Sequence, residues 1–392
     1  PYSTETAFPK WTGVCLAEAT GREVEVINCG GLSYASYRVL AILREVKQYD
    51  PDLILIYTGH NEFLERRTLE NARSEDQSFA QLAQKMYLVR WAAHFIGSNR
   101  ENAPRRTPKS KTVLAAEVEA LLDYQGGLEQ YSRNDLWLQG VDEHFEWNVR
   151  QMLDEISGSN IPLVFVSPVS NLKDCPPFKF ENDPSLSSEL QSEFEKSFRL
   201  AIGSDDPRTA RSAVEKALEI DPDHAGANFL FGKLAYEQHQ FSDAEKYFIK
   251  ARDTDVCPLR AQSELIGDLQ VSLNQRRIPF LDAQKLFSEQ TKGGYANGTA
   301  NAIVGDEWLV DHIHPSVAGH QLLGEALASL VLEQGWFEIE KDNWKESIDA
   351  EFQRRIASLG EEYFLRAKQR LEGLQLWTQG RAKKIRESGP AE

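Results

Sequence analysis

Residues 52–63, DLILIYTGHNEF, read as a strand running into a turn. Leu53 to Tyr57 are apolar without alternation, the pattern of a parallel strand covered on both faces. Asp50-Pro51-Asp52 stops the helix in front, and Gly59 permits the turn behind. Working outward, the same rhythm recurs. Upstream, residues 23–28 (EVEVIN) are rich in β-branched residues and predict a strand, and CGGLS predicts a turn. Ser36 predicts the N-cap of a helix carrying Val39, Leu40, Leu43 and Val46 on one side. Strand, helix and strand within about 40 residues make a parallel crossover unit. Downstream, residues 142–157 predict a helix, PLVFVSPV (162–169) a strand, and 171–179 a proline-rich loop. The expected fold class is therefore α/β, a sheet with helices on both faces.

Composition narrows the function classes. The 392 residues carry 44 Lys+Arg against 60 Asp+Glu, a formal net charge of -16. Nucleic acid or an anionic membrane surface as main partner would need clustered positive charge. The basic residues Arg381, Lys383, Lys384 and Arg386 read as a solvated helix face. No run approaches the roughly 18 apolar residues of a membrane span, and Pro1 reads as mid-domain. Cys15, Cys29, Cys175 and Cys257 form no CxxC or metal-spaced set. Cys175 and Cys257 each precede a proline, leaving open a disulfide in an oxidising compartment or two unpaired thiols.

Between 200 and 258 the period changes. Ala210 recurs as Ala244, Ala217 as Ala251 and Val214 as Phe248, each 34 residues on. Gly232 lies where the first helix of a pair must pass close to the second. This spacing resembles the tetratricopeptide repeat, one complete repeat preceded by the second helix of another. So few repeats cannot stand alone, so the unit is expected to lean on the α/β body and to shape a groove or bind a partner. The expected organisation is an α/β body over 1–200, with a helical insertion at 65–140. A tetratricopeptide-like insert follows at 201–258, the second part of the body at 259–337, and a helical C-terminal extension at 338–392. His314-Pro315 is expected to open the helix SVAGHQLLGEALASLVLEQ, with proline in its first turn.

Three blocks carry candidate chemistry. In Asp311-His312-Ile313-His314-Pro315, an acid three residues before a histidine lets one turn hold both, the acid fixing the tautomer of the base. In Gly59-His60-Asn61-Glu62, past the end of a buried strand, the Asn61 amide is placed to donate to an oxyanion. Residues 28–33 offer a backbone N–H as second donor. Together these blocks resemble the SGNH/GDSL hydrolase family, specifically a bacterial subgroup with a tetratricopeptide-like insert. The resemblance also draws on SYASYRVL, SPVSNLKDCPPF and Phe8-Pro9.

That resemblance implies a flavodoxin-like three-layer α/β/α sandwich, with the all-α insertion and helical extension added. It implies His314 as base, Asp311 as its orienting acid, and Asn61 with the Ser33 N–H as oxyanion hole. The family's nucleophile block is absent; its serine would fall before Pro1, with Ser3 the only serine nearby. The subgroup's usual N-terminal membrane helix implies an extracytoplasmic location. His60, beside the crevice, and Arg260, after the insert, are candidate substrate contacts, against solvated-turn and surface readings. His312 and His314 with Asp311 offer a metal set that lacks further ligands, so no metal or cofactor is expected. The expected function is a serine esterase acting on small or carbohydrate-linked esters. The alternative is an inactive domain that binds a protein partner through residues 206–258.

Overall fold

The computed structural model describes residues 4–72, 118, 120–123, 127–291, 295–296 and 299–382. In chain order the main elements are α1 (Phe8–Thr20), α2 (Ser36–Val46), β1 (Ile54–Tyr57), α3 (Asp135–Ile156) and β2 (Leu163–Val166). Then come α4 (Ser188–Gly203), α5 (Pro207–Ile220), α6 (Ala225–Glu237), α7 (Phe241–Asp253), α8 (Ser263–Arg276), β3 (Phe280–Leu281) and α9 (Ala283–Gln290). A short hairpin, β4 (Tyr295–Ala296) and β5 (Thr299–Ala300), precedes α10 (Val317–Glu333), α11 (Trp344–Ser358) and α12 (Glu361–Ala382).

The three-layer α/β/α sandwich expected from the sequence is not what forms. The chain is mostly helical, and its parallel sheet, among the described residues, has three short strands in the order β1-β2-β3. Ile54 pairs with Leu163 and Tyr57 with Val166, while Phe165 pairs with Phe280. The expected strand at 23–28 accounts for part of the difference. Val24 and Val26 lie against Gly13 of α1, yet the backbone of residues 23–27 makes no hydrogen bond among the described residues. Ile27 is 76% exposed. β-branched residues favour an extended chain, but only a neighbouring edge makes it a strand.

The sheet divides the body core in two. On one side Trp11, Val164, Val166, Phe287, Leu327 and Phe352 pack together, drawn from α1, β2, α9, α10 and α11. On the other, Leu40, Phe145, Val149, Phe165 and Leu269 join α2, α3 and α8 to the strands. Successive β2 residues thus point into different clusters, as the pleat requires. The Trp11 ring meets Phe352 edge-on at 4.8 Å, fastening α11 over α1.

Local chemistry corrects two further expectations. Ser36 is inside α2, not its N-cap; Ala35 holds the cap position, and the Ser36 hydroxyl goes to Glu62 instead. Pro315 lies outside α10, bridged to Leu309, and Ser316 caps the helix by accepting from the Gly319 N–H at 3.1 Å. Among the described residues the C-terminal extension forms two helices, with Arg381 in the last turn of α12 and Lys383, Lys384 and Arg386 outside the described residues. Most of the insertion expected at 65–140 also lies outside them. All four cysteines are free thiols. Among the described residues no helix is long and apolar enough to cross a membrane.

The helical insert begins earlier than residue 201, because α4 is the partner of α5. It leaves and rejoins the body at one place: the Val256 N–H donates to the Lys179 carbonyl at 2.9 Å. Asp255 reinforces this junction by accepting from the N–H groups of Phe178 (2.8 Å) and Lys179 (3.0 Å).

Candidate functional site

The loop before α10 closes on itself, with the Val310 N–H donating to the His314 carbonyl at 2.9 Å. Inside this turn the buried Asp311 carboxylate spends both oxygens. One accepts from the N–H groups of Ile313 (2.8 Å) and His314 (2.7 Å); the other accepts from His314 Nδ1 at 2.8 Å. A carboxylate can only accept, so the proton sits on Nδ1 and Nε2 is the basic nitrogen of the neutral ring. His312 loses this competition. Its Nδ1 stays 3.6 Å from Asp311 and has no hydrogen-bond partner among the described residues, and burial holds the ring at a pKa of about 4. Among the described residues no group of three His, Cys, Asp or Glu side chains is placed to hold a metal.

The turn after β1 forms the second part. Gly59 has φ +126°, and a Cβ there would stand 2.9 Å from Pro168, so the turn needs glycine. Asn61 Nδ2 donates to the Tyr34 carbonyl at 3.1 Å, which brings residues 33–34 beside the turn. One amide hydrogen is used there, and the geometry of the second decides what else the group can hold. Ser33 has φ +60°, a left-handed conformation uncommon for serine. Glu62 turns inward, accepting from the Ser36 N–H (2.9 Å) and hydroxyl (2.7 Å), and burial raises its carboxyl to about 7.

His60 links this turn to the loop before α8. Its Nδ1 accepts from the Ala261 N–H at 3.2 Å, and Nε2 meets the Tyr57 hydroxyl at 3.1 Å. Burial first, and then the neighbouring His312 and His314, hold the ring well below its ordinary pKa. Both ring nitrogens serve the fold, so His60 is a strut in this state. Arg260 is also internal: it is 2% exposed, and Nη1 donates to the carbonyls of Asn171 (2.9 Å) and Cys175 (2.7 Å). The expected surface position of Arg260 is wrong, since its charge is buried beside Asp255 at 3.7 Å.

The structure thus joins the predicted Asn61 to the Ser33–Tyr34 segment, and His314 to Asp311. Ser3 lies outside the described residues. Sequence reasoning missed Asn171. It follows β2 at the same sheet edge as Asn61, and that placement was the available signal.

The insert supplies the other candidate. Helices α4 and α5 form one pair and α6 and α7 a second, stacked through α5 and α6. Of the small residues predicted at 34-residue spacing, Ala210, Ala217 and Ala244 are buried in its core, and Ala251 is buried as well. Residues 201–256 match the tetratricopeptide repeat family. No curated protein and no solved structure matches the chain. The tetratricopeptide unit is seated on the body: Leu172 and Ile303 enter its core, and Asn301 donates to the Tyr236 hydroxyl at 2.7 Å. Helix α6 is mostly buried, packed against α5 and α7. What the unit presents to solvent is mainly α4 and the outer sides of α5 and α7.

Proposed function

We propose that the chain is a protein-binding scaffold whose tetratricopeptide unit, fixed to a largely helical body, presents α4 to a partner. One observation carries this reading: α4 ends the helical stack that holds the matched residues 201–256, yet it leaves Leu190, Leu200 and Ile202 exposed. Terminal helices of such stacks need a polar outer face when nothing covers them. The experiment is affinity capture by the whole chain, followed by titration of the captured protein. Leu200→Glu with Ile202→Glu should weaken binding by at least about tenfold without changing the melting temperature. Undiminished binding by that variant ends this reading.

A second reading is favoured by the 2.8 Å bond from His314 Nδ1 to Asp311. It is a serine esterase of small or carbohydrate-linked esters, as the resemblance to the SGNH/GDSL family implies. In it a serine attacks the carbonyl and His314 Nε2 takes the serine proton, while Asp311 steadies the imidazolium. The Asn61 amide and the Ser33 N–H would then face the oxyanion. An extracytoplasmic location goes with this reading. Turnover of p-nitrophenyl acetate by a protein that also carries the serine block this reading needs, collapsing in its His314→Ala variant, supports it; equal rates in both proteins remove it.

A further inference from the structure

Asn171 closes a set of bonds around the Asp311 turn. Its side-chain Nδ2 donates to Asp306 Oδ1 at 2.7 Å and to the Asp311 carbonyl at 3.3 Å. Its backbone N–H donates to the His312 carbonyl at 2.9 Å, and its Oδ1 accepts from the Asp174 N–H at 3.0 Å. One residue, 1% exposed, therefore grips the turn at residues 306, 311 and 312, on the approach to His314.

Arg260 extends this grip. Nη1 holds the Asn171 carbonyl from behind, while the guanidinium lies against Asp255, two residues after α7. Asp255 is itself fixed by three backbone N–H groups, those of Phe178, Lys179 and Cys257. Arg260 Nε and Nη2 have no hydrogen-bond partner among the described residues. A buried guanidinium short of two bonds is sensitive to small shifts of the carboxylate beside it.

We infer that Asn171 is a positioning residue for the Asp311–His314 pair, and that Arg260 transmits to it the placement of the tetratricopeptide unit. The catalytic meaning of the pair rests on the esterase reading; the positioning does not. Asn171 touches no reacting atom. It acts through Asp311, whose carbonyl it holds while the same residue's carboxylate holds His314.

Proton NMR of the whole chain tests this. A hydrogen bond from His314 Nδ1–H to a carboxylate gives a downfield proton resonance, assigned by its loss in His314→Ala. Asn171→Ala should broaden or abolish that resonance, with helix content by circular dichroism unchanged, and Asn171→Gln should restore part of it. Asp306→Ala, at an exposed position, should weaken it without threatening the fold. Arg260→Met and Asp255→Asn should shift it in the same direction as Asn171→Ala. An unchanged resonance in folded Asn171→Ala and in Asp306→Ala overturns the positioning role. An unchanged resonance in Arg260→Met and Asp255→Asn removes the link to the insert. No such resonance in the unaltered chain overturns the His314–Asp311 bond itself, and the esterase reading with it.

Discussion

Gly232 of α6 lies under the ring of Phe248 on α7, so close that a Cβ at Gly232 would stand 2.8 Å from Phe248 Cδ1. Phe248 is fully buried, so the ring has no room to withdraw. Gly232→Ala gains about 1 kcal/mol of helix propensity, but overpacking of this kind costs about 1–3 kcal/mol. The expected net result is a lower melting temperature, read by thermal unfolding. A variant as stable as the parent would mean that the two helices separate freely.

His224 caps α6, its Nδ1 accepting from the Ala227 N–H at 3.0 Å, with Phe180, Phe194 and Phe198 around the ring. Burial lowers its pKa from 6.5 to about 4. The unfolded chain binds a proton that the folded one refuses, so the contribution is complete above 6.5 and is lost as pH falls through about 4. The full loss is about 3 kcal/mol. His224→Asn keeps a capping oxygen and removes the titration. Denaturant unfolding at pH 7 and pH 4.5 should show a smaller difference for the variant than for the parent.

Ser36 gives Glu62 two hydrogen bonds and accepts a third from Asn148 Nδ2 at 3.0 Å. Ser36→Ala leaves a carboxylate oxygen and an amide hydrogen unpaired in the core. The expected cost is about 1–3 kcal/mol, measured by denaturant unfolding. The Glu62 carboxyl, already raised to about 7 by burial, should titrate higher still in the variant. Carbon-13 NMR of the labelled carboxyl checks this, and a fall would contradict it.

Asp311→Asn keeps an oxygen for the backbone N–H groups of Ile313 and His314 but cannot properly accept from His314 Nδ1. The turn should persist and the tautomer should change. On the esterase reading, ester turnover should drop by about 10⁴-fold with little change in melting temperature. A stable variant with full turnover would separate Asp311 from the chemistry.

Much of this was readable from the residues. LILIY and PLVFV became β1 and β2 because both are apolar on each face, and a short parallel pair needs little more. The three-residue spacing of Asp311 and His314 predicted a bond that a single turn closes. The 34-residue spacing predicted α5 to α7, although α4 escaped: its partner in the period is α6, and only Leu200 with Leu234 and Ala201 with Ala235 recur between them. The failures concern long-range pairing. EVEVIN has the composition of a strand, but its backbone is unpaired among the described residues. Ser36 has the composition of a cap, but a carboxylate 26 residues away claimed its hydroxyl. Arg260 looked like surface charge because nothing local announces the carbonyls and the carboxylate that bury it.

The junction of Val256 and Asp255 with Phe178 and Lys179 makes the repeat unit a cassette. Its two stems touch, so a bridge of about two or three residues would rejoin the body without rethreading any strand or helix. Such a unit can be gained, lost or exchanged as one block. On the scaffold reading, a body that carries it adds a recognition surface while the two core clusters beside its sheet stay as they are.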